Sequence, residues 1–539
     1  FVKMENKMKK YISVLLFILI LVISCKSNSN LSNDAIVINM GAEPLTIDPN
    51  LNSLNVVSAM LLHSFESLIK IDSNGNIVGG MAESWDISED GKVYTFHLRT
   101  NAKWSDGKPL TAHDFEYSWK RMVNPEIAAK YSSMMEMIKN GREINEGNMD
   151  YNELSVKALD DYIFEVVLVD PAAYFLEFIT TLSIFAPVRK DIIELYGDDW
   201  TLKPETFICN GPYKMTERLI DQYIIFELNT NYYATNEIIA NKLKFLSMSD
   251  PNTAIAGIRS GTIHFSALEP PPTEIDKLKN ENYVVLKDGV GTYYLSLNIT
   301  NNALKDKRVR HALSSAIDRN YIVSNVTMGG QAPARGFVPN TIKGINGSFR
   351  EEAGDLIDIY DYQKNIQTAK ELMAQAGYPN GENFPVLELR VSPGLHANMG
   401  EAIQNMWKSN LNVDITIKID EYPLVIQYLL ENNYDIGSIA WNADYNDPMT
   451  MLEIMFTGNS FNYGAFSNPK YDKLVLNARK TSDNVLRMNY MIDAEKILMD
   501  EMPLIPICHR AFTLMLNPKL KGIVYNPLGK HKFNYCYIE

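Results

Sequence analysis

Cysteine is nearly missing from this chain. Four cysteines in 539 residues, with no C-x-x-C pair, exclude a disulfide scaffold and a structural zinc site. Positive charge is in deficit as well: 51 Lys and Arg stand against 65 Asp and Glu, a net charge of −14. So acidic a chain is ill suited to a phosphate backbone, and no nucleic-acid partner is expected. Catalytic signatures are also lacking. There is no G-x-x-x-x-G-K-[ST], no H-E-x-x-H, no G-x-S-x-G and no EF-hand loop, and the eight histidines include no pair four residues apart. The carboxylates are too numerous to single out a catalytic pair, so no enzyme, metal site or cofactor is expected. Repeats, low-complexity tracts and long runs of like charge are absent too. What is there is a globular composition, 46% apolar and 22% charged, which argues against disorder and against a many-span membrane protein. The length corresponds to about three domains.

The first 24 residues carry a destination. Lys3, Lys7, Lys9 and Lys10 precede the apolar run YISVLLFILILVIS, residues 11–24. The run is shorter than the roughly 20 residues a spanning helix needs and has the length of a signal-peptide core. It leads into Val22-Ile23-Ser24-Cys25, which resembles a bacterial lipobox. Residues 1–24 are therefore expected to be a signal peptide, Cys25 the lipidated first mature residue, and 25–34 a polar tether that lets the body stand off the bilayer. An ordinary signal peptide with a cysteine at its cleavage site, or a tail anchor, fits the same run. Cleavage removes four Lys and one Glu and takes the net charge from −14 to −17. Cys209, Cys508 and Cys536 then remain, and no disulfide is expected among them.

The body reads as mixed α/β. Residues 36–40, 93–99, 386–391, 413–419 and 434–441 have strand character, and 157–169 and 213–228 read as hairpins. Helical periodicity marks 56–69, 111–123, 306–326, 363–376 and 395–410, with 471–499 broken in two.

Two stretches are specific. The first, residues 82–115 (AESWDISEDGKVYTFHLRTNAKWSDGKPLTAHDF), carries Ala82-Glu83-Ser84-Trp85, Tyr94 to Arg99, Trp104-Ser105-Asp106-Gly107 and Thr111-Ala112 with Asp114-Phe115. The second is YDIGSIAWNADYNDP, residues 434–448. Between them lie Asn210-Gly211-Pro212-Tyr213, Arg259-Ser260-Gly261, Lys307 to Arg310 with Asp318-Arg319, and AKELMAQAG from Ala369. The ordered set resembles the family-5 extracellular solute-binding proteins, receptors of ABC importers for peptides, dipeptides and nickel. The second stretch resembles the oligopeptide-binding subgroup in particular.

The resemblance implies a bilobed periplasmic-binding-protein-like α/β fold of the large class, with mixed sheets, flanking helices and an extra domain. Domain I would comprise 35–65, 190–290 and 509–539, domain II 66–189, and domain III 291–508. It implies a monomeric extracytoplasmic receptor, lipid-anchored to a bacterial membrane, that binds short peptides in a closing cleft and delivers them to an ABC permease with separate ATPase subunits.

A receptor blind to side chains must hold the peptide's main chain and its charged ends. Strand edges can do the first, and an acid must meet the α-ammonium, because an unpaired desolvated cation costs several kcal/mol. By resemblance that acid is Asp444; a role in capping the turn at residues 445–448 is the alternative. Trp441, Asn442, Tyr422, Tyr131 and Tyr294 match cleft positions, though each aromatic also suits the core or a rim. His396 matches a histidine near the ligand's carboxyl end, or is a surface residue at a helix start. Ser53, beside Asn55, stands where relatives carry an acid that touches ligand. Thr327 and Ser438 replace basic residues for the peptide carboxylate, which leaves that end to His396, to water or unheld and implies tolerance of varied peptide length. Gly291 and Asn442 replace a cysteine pair of some relatives. Another solute on the same fold (nickel chelate, haem, an opine or a glycan) and a surface adhesin are the competing readings.

Overall fold

The computed structural model describes residues 35–52, 54–72, 76–172 and 174–539. The signal peptide, Cys25, the tether and Ser53 lie outside them. Mixed α/β character is observed, and it is organised by two long strands, Val284–Leu297 and Leu504–Leu516. They run antiparallel at the centre of an eleven-stranded mixed sheet. On one side, Leu504–Leu516 continues through Phe265–Ser266 and Ala35–Gly41 to the hairpin Tyr213–Leu219/Tyr223–Leu228. On the other, Val284–Leu297 pairs with Ile436–Asn442, which adjoins Leu387–Val391, itself paired with Ile415–Ile419 at the edge.

The ladder between the two long strands shifts register twice, between Tyr293 and Tyr294 and, more widely, just before it at the centre. Asp288 pairs with Ala511 and Thr292 with His509, so residues 289–291 face the single residue Arg510. The bulged Val290 finds partners elsewhere: its N–H donates to Pro527 O at 3.1 Å and its carbonyl accepts from Ala443 N at 2.9 Å. Extra residues in one strand bend it and re-aim its neighbours. The bulge thus brings the turn after Ile436–Asn442 and the carboxyl-terminal loop to one place.

A separate four-stranded antiparallel sheet, Ala82–Ile87, Val93–Leu98, Ile163–Val167 and Val156–Ala158, carries the helix Ala112–Val123. Here the motif of residues 82–115 has structural content. Gly107 closes the turn from Trp104 with a 2.9 Å hydrogen bond at φ 89°, a conformation that favours glycine. Thr111 and Asp114 form a capping box, and Asp114 also accepts from the Trp104 indole at 3.3 Å. Trp104, Trp119, Phe96, Phe115 and Phe164 are fully buried beneath. Arg121 ties this unit to the first, its guanidinium 2.8 Å from buried Asp48.

Two helices end earlier than their periodicity predicts. The segment expected at 56–69 is helical over Asn55–Ser64 only. Asn210 accepts from Glu66 N at 3.1 Å and donates to Glu66 O at 2.7 Å, a tertiary clamp on the main-chain groups the helix would need. The segment expected at 306–326 breaks after Ser315, where Asp318 caps a new start and Arg319 donates back to Ser314 O at 3.0 Å. Cys209, Cys508 and Cys536 are buried and free.

Candidate functional site

A cleft of about 1110 Å³ opens beside the bulge. Its walls come from the end of Ile436–Asn442 and the following turn, the start of the helix Tyr422–Leu430, the carboxyl-terminal loop and the edge of the four-stranded unit. Asp444, Trp441, Asn442, Tyr422, Tyr131, Tyr294 and Asn55 all line it. Seven residues from across some 390 positions of sequence thus meet in one cavity.

Asp444 is held by its main chain and not by its carboxylate. Its N–H donates to Thr450 Oγ1 and its carbonyl accepts from Thr181 Oγ1, each at 3.2 Å, while the side chain makes no hydrogen bond among the described residues. Turn capping falls to Asp447 instead, which accepts from Met449 N at 2.9 Å and forks with Arg487 at 2.6 and 2.8 Å. Burial pushes the Asp444 carboxyl up to about 6; the Lys530 ammonium opposes the rise and Glu453 adds to it. Lys530 is itself buried and lowered to about 8 by desolvation, with Asp444 pulling the other way. A carboxylate left half-desolvated and unbonded at a cleft wall is poised for an incoming cation.

The aromatic walls are fixed by bonds behind them. The Trp441 indole donates to Thr450 O at 2.9 Å and its ring lies 4.8 Å from that of Phe461. Tyr294 packs edge-on to Phe337 at 5.3 Å and is 3% exposed, so it serves the core as much as the cleft. The Tyr131 hydroxyl is pushed up by burial and by the Asp444 charge. Asn55 is already engaged, donating to Leu528 O at 2.8 Å.

His396 and Ser438 are not among the cleft-lining residues. They bond each other at 2.8 Å just behind Tyr422, whose ring is 6.4 Å from His396. Burial, and secondarily the Arg510 charge, lowers His396 to about 4, so the ring is neutral at physiological pH and does not act as a cation there. Thr327 is buried away from the cleft, its hydroxyl donating to Val323 O at 3.4 Å. Gly291 and Asn442 face each other across the ladder, as a bridging pair would.

Four cations that the sequence reading passed over line the cleft, Arg142, Arg479, Lys530 and Arg510. Arg510 carried a signal: it is the one Lys, Arg, Asp or Glu in the strand LIPICHRAFTLML, where a charge among apolar neighbours asks for a reason. Lys530 carried none, since it sits in an irregular loop. The cleft also offers open main chain. Ile436–Asn442 pairs with residues 291–297 throughout, but with Leu387–Val391 only at Ile436 and Gly437. From Ser438 to Asn442 its other edge has no strand neighbour among the described residues.

A family model described as bacterial extracellular solute-binding proteins, family 5 Middle, matches residues 76–463. The chain belongs to this family. Among family-5 relatives, the periplasmic oligopeptide-binding protein OppA of Salmonella typhimurium is 32% identical over 512 residues, covering 94% of this chain and 91% of that one. The periplasmic murein tripeptide-binding protein MppA in its unliganded open form superposes with a TM-score of 0.82 at 30% identity, over 94% of this chain and 98% of that one. Haemophilus influenzae OppA in complex with the peptide RPPGFSPFR gives 0.72 at 31% identity, over 94% and 99%. The fold is accordingly the bilobed one of family-5 receptors.

Proposed function

We propose that this chain is an extracytoplasmic receptor that takes short peptides into the cleft and delivers them to an ABC permease, whose ATPase subunits are other chains. The observation that carries this reading is Asp444: a buried-side carboxylate at the cleft wall with its main chain pinned and its oxygens unbonded. It would receive the peptide's α-ammonium. The free edge from Ser438 to Asn442 would pair with the ligand's main chain, giving affinity without reading side chains. Trp441, Tyr422, Tyr131 and Tyr294 would wall the side-chain space. One charge-assisted pair and several main-chain bonds are enough for micromolar affinity, about −8 kcal/mol.

The two long strands are the natural hinge of this receptor. Their bulge at 289–291 supports a division in which 35–65, 190–290 and 509–539 form one lobe, 291–508 the other, and 66–189 the extra domain. Ligand bridging the lobes would favour the closed state through contacts made only there. Lipid attachment at Cys25 would keep the receptor beside its permease.

The test is thermal stabilisation of the body from residue 26 onward, stripped of any co-purified ligand, by randomised tri- to pentapeptide pools with free or acetylated amino termini. A ligand that binds only the native state raises the midpoint by mass action. Stabilisation by the free pools and not the acetylated ones is expected. No shift with either contradicts the peptide reading.

A further inference from the structure

We infer that Arg510 is the receptor's anion subsite and takes the carboxyl terminus of the bound peptide. The inference rests on the peptide reading above and extends it from the ligand's amino end to its other end.

The charges along the cleft carry the argument. Four Lys or Arg side chains line it among the described residues: Arg142, Arg479, Lys530 and Arg510. Arg142 pairs with Glu136 at 3.3 Å and Arg479 with Glu453 at 3.1 Å. Lys530 donates to Thr181 O and shares its field with Asp444. Among the described residues, Arg510 has no carboxylate within ion-pair distance. Nη1 donates to the Asn442 side-chain oxygen at 2.6 Å, and the guanidinium lies 5.7 Å from the centre of the Tyr293 ring. Among the described residues Nη2 makes no hydrogen bond, and Nε is buried without a partner. Glu269, whose charge reaches Tyr293, forms no ion pair with it.

A guanidinium held in a partly desolvated site without an acid is costly unless an anion from outside completes it. Its planar array of donors fits a carboxylate two-pronged. The neighbours add no rival charge, since His396 is neutral and Ser438 is bonded to it. After internal pairing, the cleft retains Asp444, whose carboxylate makes no hydrogen bond, and Arg510, the one of the four cations with neither a carboxylate nor a main-chain carbonyl as partner among the described residues, which suits a zwitterionic chain. Arg510 is presented from the strand Leu504–Leu516, opposite the bulge at 289–291.

The experiment compares randomised tri- to pentapeptide pools as free acids, as carboxyl-terminal amides and as amino-acetylated acids. Apparent affinities come from thermal-shift titrations on wild type, Arg510→Gln and Arg510→Lys. For wild type, amidation is expected to weaken binding about 10- to 100-fold, the worth of one charge-assisted pair. Arg510→Gln should lose the same factor for free acids and no longer tell acid from amide. Arg510→Lys should keep most of the preference, which a merely structural role would not require. Wild-type indifference to amidation, with acetylation still blocking binding, overturns the assignment and leaves the peptide reading standing. So does a full acid preference in Arg510→Gln. Binding of none of the pools to wild type overturns both.

Discussion

Asp444→Asn should make the empty receptor more stable while ruining it as a receptor. The wild-type carboxyl titrates near 6 instead of 3.8, chiefly because burial disfavours its charge. At about 1.36 kcal/mol per pH unit, that separation makes its ionisation cost the native state about 3 kcal/mol. The sign follows from which state holds the proton. Below pH 4 the group is protonated in both states and there is no penalty. Between pH 4 and 6 the unfolded chain ionises while the native chain keeps its proton, so native stability falls. Above pH 6 the loss is complete. Asparagine has the same shape and no such loss, so the variant should match wild type at pH 3.5 and exceed it by about 3 kcal/mol at pH 7.5, several degrees in midpoint. Differential scanning calorimetry of stripped protein at the two pH values is the assay. Peptide at 100 times the wild-type Kd should close most of that gap without reversing it, because it adds about 2.7 kcal/mol to wild type and far less to the variant. A variant no more stable than wild type at pH 7.5 would mean that the carboxylate already has a stabilising partner, and an advantage equal at both pH values would mean that ionisation is not its cause.

Other consequences are checkable with single variants. Peptide affinity should be highest near pH 7, fall about tenfold per pH unit well below 6 because the ammonium needs ionised Asp444, and fall again above about pH 8 as the free α-ammonium loses its proton; Lys530→Met, which removes the opposing cation, should move the acid shoulder to higher pH. Glu495→Gln should cost about 3–5 kcal/mol in denaturant unfolding, because Glu495 is fully buried, pairs with the fully buried Arg350 and accepts the Phe337 and Val338 N–H groups at 2.9 and 2.8 Å. Gly211→Ala should lower the melting midpoint at a cost of about 1–3 kcal/mol or more, since its Cβ would stand 2.5 Å from the Ser64 carbonyl carbon.

Much of this was legible because local rules and tertiary structure agree. The Thr111 capping box and the apolar alternation of Val93–Leu98 state their own structure, and the break in 471–499 appears as Pro469–Lys480 and Asn484–Glu501. Legibility failed where long-range contacts decide. No periodicity reveals that Asn210 clamps Glu66 and ends a helix, or that Arg319 turns back on Ser314. At the candidate site, the cleft positions of Asp444 and Trp441 were readable from one contiguous motif, and those of Tyr422, Tyr131 and Tyr294 only through the wider likeness to known receptors. Lys530 was not, because a lysine in a loop is ordinarily solvated and only the fold buries this one beside Asp444. His396 lies off the cleft wall, and its hydrogen bond to Ser438 and its neutrality depend on burial that the local sequence does not state.

The account turns on one ion pair, so titration calorimetry of stripped wild type and Asp444→Asn with the free-terminus peptide pools tests it most directly. The account predicts micromolar or tighter binding by wild type and a loss of about 100-fold or more in the variant, as expected when one partner of a desolvated charge pair is removed. Equal affinities in the two proteins would contradict it and place the ligand's ammonium, or the ligand itself, elsewhere.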